Sequence, residues 1–386
     1  MSQVLEGTLV IELGTMITAP LAGMMLGDLG ARVIKVEHPN GGDPFRGYRG
    51  DNYSPHFASY NRNKESIQLD LQSEEGLGEL RELIRHADVL LDNFRPGVLD
   101  RLTLTDEALH ELNPGLVHCS ITGFGADGPY RDRPAYDAVG VALGGLSSLL
   151  IDPDHPYSSG PTISDNVAGM YACYGILGAL LKKARTGKGS RVETNMLEAT
   201  VAFIPDSFAN YTMHKVISHP RTRVASSQSY ALKCSDDRLI AVHLSIPDKF
   251  WEGLLTAIEK PELGADERFN SRAKRVRNFE ALTLELAAVF QTRTRAEWLQ
   301  RLEAQDVPCA PIYSISEVLD DPQIQHLGTF YQMHHAKIGD LTGVHRPVLI
   351  DGERGPATFP APVLGEHNAA IRADYLEQGL KKPGPR

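Results

Sequence analysis

Short runs of β-prone apolar residues alternate with helix-patterned segments from Thr8 to Thr122, and this alternation constrains the fold more than any other feature. Thr8–Glu12 reads as a strand, Pro20–Leu29 as a helix opened by proline, and Arg32–Glu37 as a second strand. The series continues with a strand over Ser66–Leu71, a helix over Glu74–Ala87, a strand over Val89–Asp92, a short helix over Asp106–Leu112 and a strand over Leu116–Thr122. Strands that recur after helical crossovers pair in parallel, so the expectation is an α/β fold: a Rossmann-like parallel sheet with helices on both faces.

Beyond Gly123 the pattern turns mostly helical. Helices are expected over Asp137–Leu150 and Asn166–Arg185, the second stopped by Thr186-Gly187-Lys188-Gly189, with one more strand over Val192–Met196. A chain of 386 residues exceeds the size at which one core usually stops growing, so two lobes are expected. The large domain spans 1–207, and 208–229, rich in His, Arg and Ser with little periodicity, reads as a linker. A small α/β domain follows at 230–325, with strands over Tyr230–Lys233 and Leu239–Leu244 and helices over Pro247–Ile258, Phe279–Gln291 and Arg295–Ala304. The segment 326–386 is expected to return to the large domain.

Several function classes drop out. A formal charge of -10, with no basic run longer than Lys182-Lys183 before the tail, argues against a nucleic-acid partner. Cys119, Cys173, Cys234 and Cys309 lie far apart, without metal-ligand or disulfide spacing, which fits a reducing compartment and no metal site. Met1–Gly7 does not have the pattern of a signal peptide, and Ala138–Ile151 is too short to span a bilayer, so a cytoplasmic chain without membrane contact is expected.

A first strand, turn and helix invite a dinucleotide site, with Glu37 where a ribose-binding acid would stand. The turn from Glu12 to Pro20 holds one glycine, Gly14, where that fingerprint needs three. Other motifs, read in order, carry a resemblance: Ala31-Arg32-Val33-Ile34-Lys35-Val36-Glu37, Asn61-Arg62-Asn63-Lys64 with Ser66-Ile67-Gln68-Leu69-Asp70-Leu71, Asp92-Asn93-Phe94-Arg95-Pro96-Gly97, Pro134-Ala135-Tyr136-Asp137, Asp165 with Gly169, and Leu364-Gly365-Glu366-His367. Together they resemble the class III CoA-transferases, which include formyl-CoA transferase and carnitine CoA-transferase.

The resemblance implies an entwined homodimer and a CoA-transferase that moves coenzyme A from an acyl-CoA donor to a carboxylic acid through an aspartyl anhydride and an aspartyl-CoA thioester. No permanently bound cofactor is implied; coenzyme A and acyl-CoA are substrates. Asp165 is the implied nucleophile. By local sequence alone, Asp165 before a helix over Asn166–Arg185 reads as an N-cap, and the helix N-terminus favours the ionised carboxylate. Tyr136 and Asp137 take positions that line the thioester site in the family, although spacing alone makes them a turn opening the next helix. CoA contacts are implied at Ile17, Thr18, His38, Leu69 to Gln72, Asn93, Phe94, Arg95 and Arg101, where Arg95 and Arg101 pair with phosphate oxygens; without the resemblance such cations read as solvated surface.

The sequence departs from the formyl-CoA transferase pattern with Ile17 for glutamine, His38 for arginine and Gln72 for lysine, which argues against formate and oxalate as substrates. Ala225-Ser226-Ser227-Gln228-Ser229 stands where that enzyme has a glycine-rich lid. Small dicarboxylates such as succinate are the family-based expectation, with His155, Tyr157, Arg221 and Arg223 as candidate pocket residues. The nearest alternative is an α-methylacyl-CoA racemase, which moves an α-proton with a His and Asp pair; this chain has Tyr136 where the racemase pattern has histidine. A non-catalytic acyl-CoA-binding protein is the remaining alternative.

Overall fold

Leu9–Glu12 (β1), Arg32–Glu37 (β2), Lys64–Gln68 (β3), Val89–Asp92 (β4), Val117–Thr122 (β5) and Ser190–Asn195 (β6) form one sheet in the computed structural model, which describes residues 3–48, 53–158, 160–355 and 358–376. The strand order is β3-β2-β1-β4-β5-β6 and every pairing is parallel. Side chains alternate between the two faces of the sheet. Val10, Val33, Val89, Leu91 and Val117 join one core with the helices Thr18–Gly27 and Ile163–Thr186. Leu9, Ile11, Ile34, Ile67 and Leu90 join another with the helix Glu74–His86. That helix has conventional ends: Ser73 Oγ accepts from Gly76 N–H at 3.0 Å, Glu74 and Glu75 occupy its first turn, and Arg85 and His86 its last.

Contacts divide the chain into two units. The first takes in 1–147, 158–205 and 328–386 as far as these are described, and holds the six-stranded sheet. The second takes in 148–157 and 206–327, with an antiparallel sheet of Ser229–Lys233, Leu239–His243 and Cys309–Ile312 around Trp251, Phe269, Phe290 and Trp298. Within the first unit the C-terminal segment closes the β3 edge. Ser66 N–H donates to His367 Nδ1 at 3.2 Å, Gln68 N–H to Asn368 Oδ1 at 2.8 Å, and His367 N–H to Ser66 O at 3.1 Å. An edge covered in this way offers no template to another strand. The end of the expected segment, 377–386, lies outside the described residues.

Several local expectations change: the strand expected over Ser66–Leu71 runs Lys64–Gln68, and that over Val192–Met196 runs Ser190–Asn195, with Met196 opening a helix. The helix expected over Asp137–Leu150 stops at Leu143, because Gly144 and a left-handed Gly145 (φ 85°) break it before the short turn Leu146–Leu149. The stretch 208–229, expected to be aperiodic, holds part of the helix Pro205–His214 and the helix Thr222–Ser227. The long helix begins at Ile163 with Thr162 at its N-cap, so Asp165 sits in the first turn and does not cap it. No helix among the described residues is long and apolar enough to cross a membrane.

Two glycines bring the long helix to its place. A Cβ on Gly169 would meet Thr18 O at 2.7 Å, and one on Gly140 would meet Ser164 Oγ at 2.3 Å. The first close approach sets the long helix against the start of the first helix, and the second sets Asp137–Leu143 beside Asp165. Gly169→Ala should therefore cost about 1–3 kcal/mol through overpacking, measured as a lowered urea midpoint with an unchanged slope; an unchanged midpoint would contradict this packing account.

Candidate active site

Loops at the carboxyl ends of β1 and β4 meet where the strand order reverses, the place at which open α/β sheets bind their ligands. A cavity of about 280 Å³ lies there. Its wall is built from Thr15 to Thr18 after β1, Asn93 to Pro96 after β4, Ile121 and Thr122 at the end of β5 with Gly123 beyond it, and Met196 after β6, completed by Arg131, Arg133, Ala135, Tyr136 and Asp165. The structure thus gathers Ile17, Thr18, Asn93, Phe94, Arg95, Tyr136 and Asp165, which are scattered in the sequence, onto one wall.

Asp165 is half-buried, and its carboxylate accepts no hydrogen bond from a described residue. Its N–H donates to Asp137 Oδ1 at 3.1 Å. Burial, and then the Asp137 carboxylate, push the Asp165 pKa up to about 7. This reverses the expectation that the helix N-terminus would keep the group in the usual carboxylate range: desolvation and a like charge oppose ionisation more strongly than the helix end favours it. Asp137 does not line the cavity and acts on Asp165 from behind, while Tyr136 is 66% exposed.

Asn93 ties the two loops together. Its Oδ1 accepts Thr15 N–H at 3.0 Å, and its Nδ2 donates to Thr15 O at 2.8 Å and to Thr18 Oγ1 at 2.9 Å. Phe94 N–H donates to Asp92 Oδ1 at 3.1 Å, and the same carboxylate bonds the buried His118 through Oδ2 at 2.9 Å. Leu69 is buried, which leaves only backbone to offer a ligand; His38 and Gln72 are exposed, with His38 Nε2 3.9 Å from Asp70 Oδ1. These three stand at the carboxyl ends of β2 and β3, outside the cavity lining but along the same edge of the sheet. Glu37, the would-be ribose acid, is buried in a two-toothed pair with Arg46 at 2.7 Å, so it is not free to hold a ribose.

Sequence reasoning missed two cations at the mouth, Arg131 and Arg133. A Cβ on Gly97 would lie 3.5 Å from Arg131 Nη2 and 3.7 Å from Arg101 Nη1, so two guanidinium groups flank the loop that carries Arg95. The signal was the cluster Tyr130-Arg131-Asp132-Arg133, which reads as ordinary loop polarity until the fold places it. His155, Tyr157, Arg221 and Arg223 belong to the second unit; Arg221 pairs with Glu280, and Arg223 approaches Asp206 at 4.0 Å.

The model of CoA-transferase family III matches residues 5–368. The chain belongs to this family. It is 32% identical over 384 residues to succinyl-CoA--D-citramalate CoA-transferase of Chloroflexus aurantiacus, covering 96% of this chain and 94% of that protein. It is also 32% identical to human succinyl-CoA:glutarate CoA-transferase, over 96% of this chain and 86% of the relative. Among solved structures, a CAIB/BAIF family protein from Brucella suis superposes with a TM-score of 0.87 at 32% identity, covering 97% of this chain and 99% of that one. The six-stranded α/β fold is accordingly that of a family III CoA-transferase, an enzyme class whose substrates are CoA thioesters.

Proposed function

We propose that this family III CoA-transferase moves CoA from succinyl-CoA to a small carboxylic acid through covalent intermediates on Asp165. The observation that carries the reading is a half-buried carboxylate lining the strand-reversal cavity beside a rim of arginines, where burial and Asp137 push its pKa up to about 7. The ionised Asp165 oxygen attacks the thioester carbon, the C–S bond breaks, and CoA leaves as thiolate. The thiolate attacks the aspartyl carbon of the mixed anhydride and releases the donor as a carboxylate. An acceptor carboxylate then displaces the thiolate from aspartyl-CoA, and the thiolate takes the new acyl group, regenerating Asp165. No proton is consumed over the cycle, and each hard acyl transfer is divided into easier ones. Enclosure serves the same end, since an anhydride exposed to water is lost to hydrolysis.

In this reading Arg95, Arg101, Arg131 and Arg133 take CoA phosphate oxygens, with His38, Leu69 and Gln72 further along the strand ends; Arg95 and Arg101 have no carboxylate partner among the described residues. The relatives' names favour a succinyl donor and a dicarboxylate acceptor. No histidine lines the cavity among the described residues, which leaves a racemase without its paired base. A homodimer is part of the proposal: Met170, Tyr171, Tyr174 and Leu181 on the long helix are exposed, a face suited to a second copy. Four unpaired cysteines favour the cytoplasm.

The test is succinyl-CoA plus glutarate, followed as glutaryl-CoA formed against pH. An essential ionised Asp165 gives a rate that falls about tenfold per pH unit below about 7 and levels above it. Asp137→Asn removes a repelling charge, so the acid limb moves to lower pH, though by less than the whole displacement because burial is the larger cause. Exchange of an α-proton with solvent, without any transfer among a panel of dicarboxylates, would replace this reading with an isomerase.

A further inference from the structure

Two buried side chains that do not line the cavity, Lys35 and Asp43, hold the backbone of the loop that does, and a third, Lys64, holds the first turn of the helix that follows it. Lys35 Nζ donates to Gly14 O at 2.7 Å and lies 2.9 Å from Glu12 Oε1 and 3.0 Å from Asp43 Oδ2. Lys64 Nζ donates to Pro20 O at 2.8 Å and lies 2.8 Å from Glu12 Oε2. Asp43 receives Met16 N–H on both carboxylate oxygens, each at 3.1 Å. Asp43 is itself held from behind, since its N–H donates to Glu37 Oε2 at 3.0 Å and its Oδ1 accepts Phe45 N–H at 2.9 Å.

Met16 is the strained point. Its φ of 64° lies in the left-handed region, where an L side chain crowds its own backbone, and no glycine relieves it. The next residues, Ile17 and Thr18, are buried and face the same cavity as Asp165. A strained residue persists only where its surroundings over-determine it; Asn93 holds Thr15 and Thr18 and Lys35 holds Gly14, while the Asp43 carboxylate is what bonds the Met16 amide itself. Were Asp43 only a countercharge for Lys35, one oxygen toward the ammonium would suffice; instead both oxygens turn to the Met16 amide.

We propose that Asp43 is a positioning residue for acyl-CoA turnover: by holding Met16 in its left-handed conformation it sets Ile17 and Thr18 in the wall they share with Asp165. The inference rests on reading that cavity as the acyl-CoA site. Asp43 also belongs to a buried set in which three carboxylates, Glu12, Glu37 and Asp43, stand against three cations, Lys35, Arg46 and Lys64.

The test compares full-length Asp43→Asn, Asp43→Glu, Met16→Gly and the Asp43→Asn/Met16→Gly double variant by kcat and KM for succinyl-CoA, CoA affinity by calorimetry, and thermal midpoint. Asp43→Asn should lower kcat by about tenfold to hundredfold, the scale on which a small misplacement of reacting groups acts. Glycine adopts a left-handed φ freely, so the double variant should regain about tenfold over Asp43→Asn. Asp43→Glu keeps the charge beside Lys35 but overshoots the Met16 amide; its extra methylene in a buried site should lower the thermal midpoint modestly while the protein stays folded and loses activity, and it carries the test if Asp43→Asn does not fold. Full activity in Asp43→Glu, or a double variant no more active than Asp43→Asn, overturns the proposal. CoA affinity should follow the same order across the variants, and a flat affinity series would equally count against it. A wild type that binds CoA but transfers none refutes the transferase reading separately, while the affinity series still decides the positioning role.

Discussion

Asp165→Ala should reduce CoA transfer by at least about 10³-fold, the scale seen when a covalent nucleophile is removed, while CoA still binds. The loss should fall on kcat, because the arginines proposed to take the CoA phosphates and the Asn93 clasp are untouched. Asp165→Asn adds a second readout of the same carboxylate. A carboxyl whose folded pKa is raised, here to about 7, takes up protons on folding between its unfolded value and 7. Its ionised form therefore destabilises the fold progressively as pH rises through that window, and the full cost stands above it. Asp165→Asn should raise the thermal midpoint more at pH 8 than at pH 5, trading activity for stability.

Glu12→Gln should be the most destabilising single change, lowering the unfolding free energy by about 3–5 kcal/mol, the range for removing one partner of a buried ion pair. The carboxylate has no exposed surface and holds two ammonium groups, Lys35 at 2.9 Å and Lys64 at 2.8 Å, neither of which has any exposed surface. Burial pulls Lys64 down to about 8 and would lower Lys35 as well, but Glu12 and then Asp43 hold Lys35 above the ordinary lysine range. The neutral amide leaves both ammonium groups under-compensated. The Glu12→Gln/Lys64→Met double variant restores the balance and should lose much less than the sum of the two single changes. Additive losses in urea titrations would mean that the three groups do not act as a unit.

The sheet was legible because its cause is local. β2 and β4 run where apolar alternation and buried runs place them, and the helix Glu74–His86 carries its own cap and end charges. The motifs marked the cavity wall at Ile17, Thr18, Asn93 to Arg95, Tyr136 and Asp165 because each follows the end of a strand or opens a helix. What escaped was tertiary in origin. No periodicity relates Glu12, Lys35, Asp43 and Lys64, which meet only after β1, β2 and β3 pair. The charge state of Asp165 depends on burial and on Asp137, and that neighbour arrives through the close approach at Gly140, so the helix-end argument pointed the wrong way. Arg131 and Arg133 were invisible for the same reason, since a loop cation gains meaning only from what the fold sets beside it.

The most direct test of covalent transfer at Asp165 is intact-protein mass with peptide mapping after incubation with succinyl-CoA, with hydroxylamine or borohydride trapping and Asp165→Ala as the control. The account predicts a CoA adduct or a hydroxamate confined to the peptide carrying Asp165 and absent from the variant. Turnover of succinyl-CoA with no adduct under trapping, or an adduct that persists in Asp165→Ala, would contradict it.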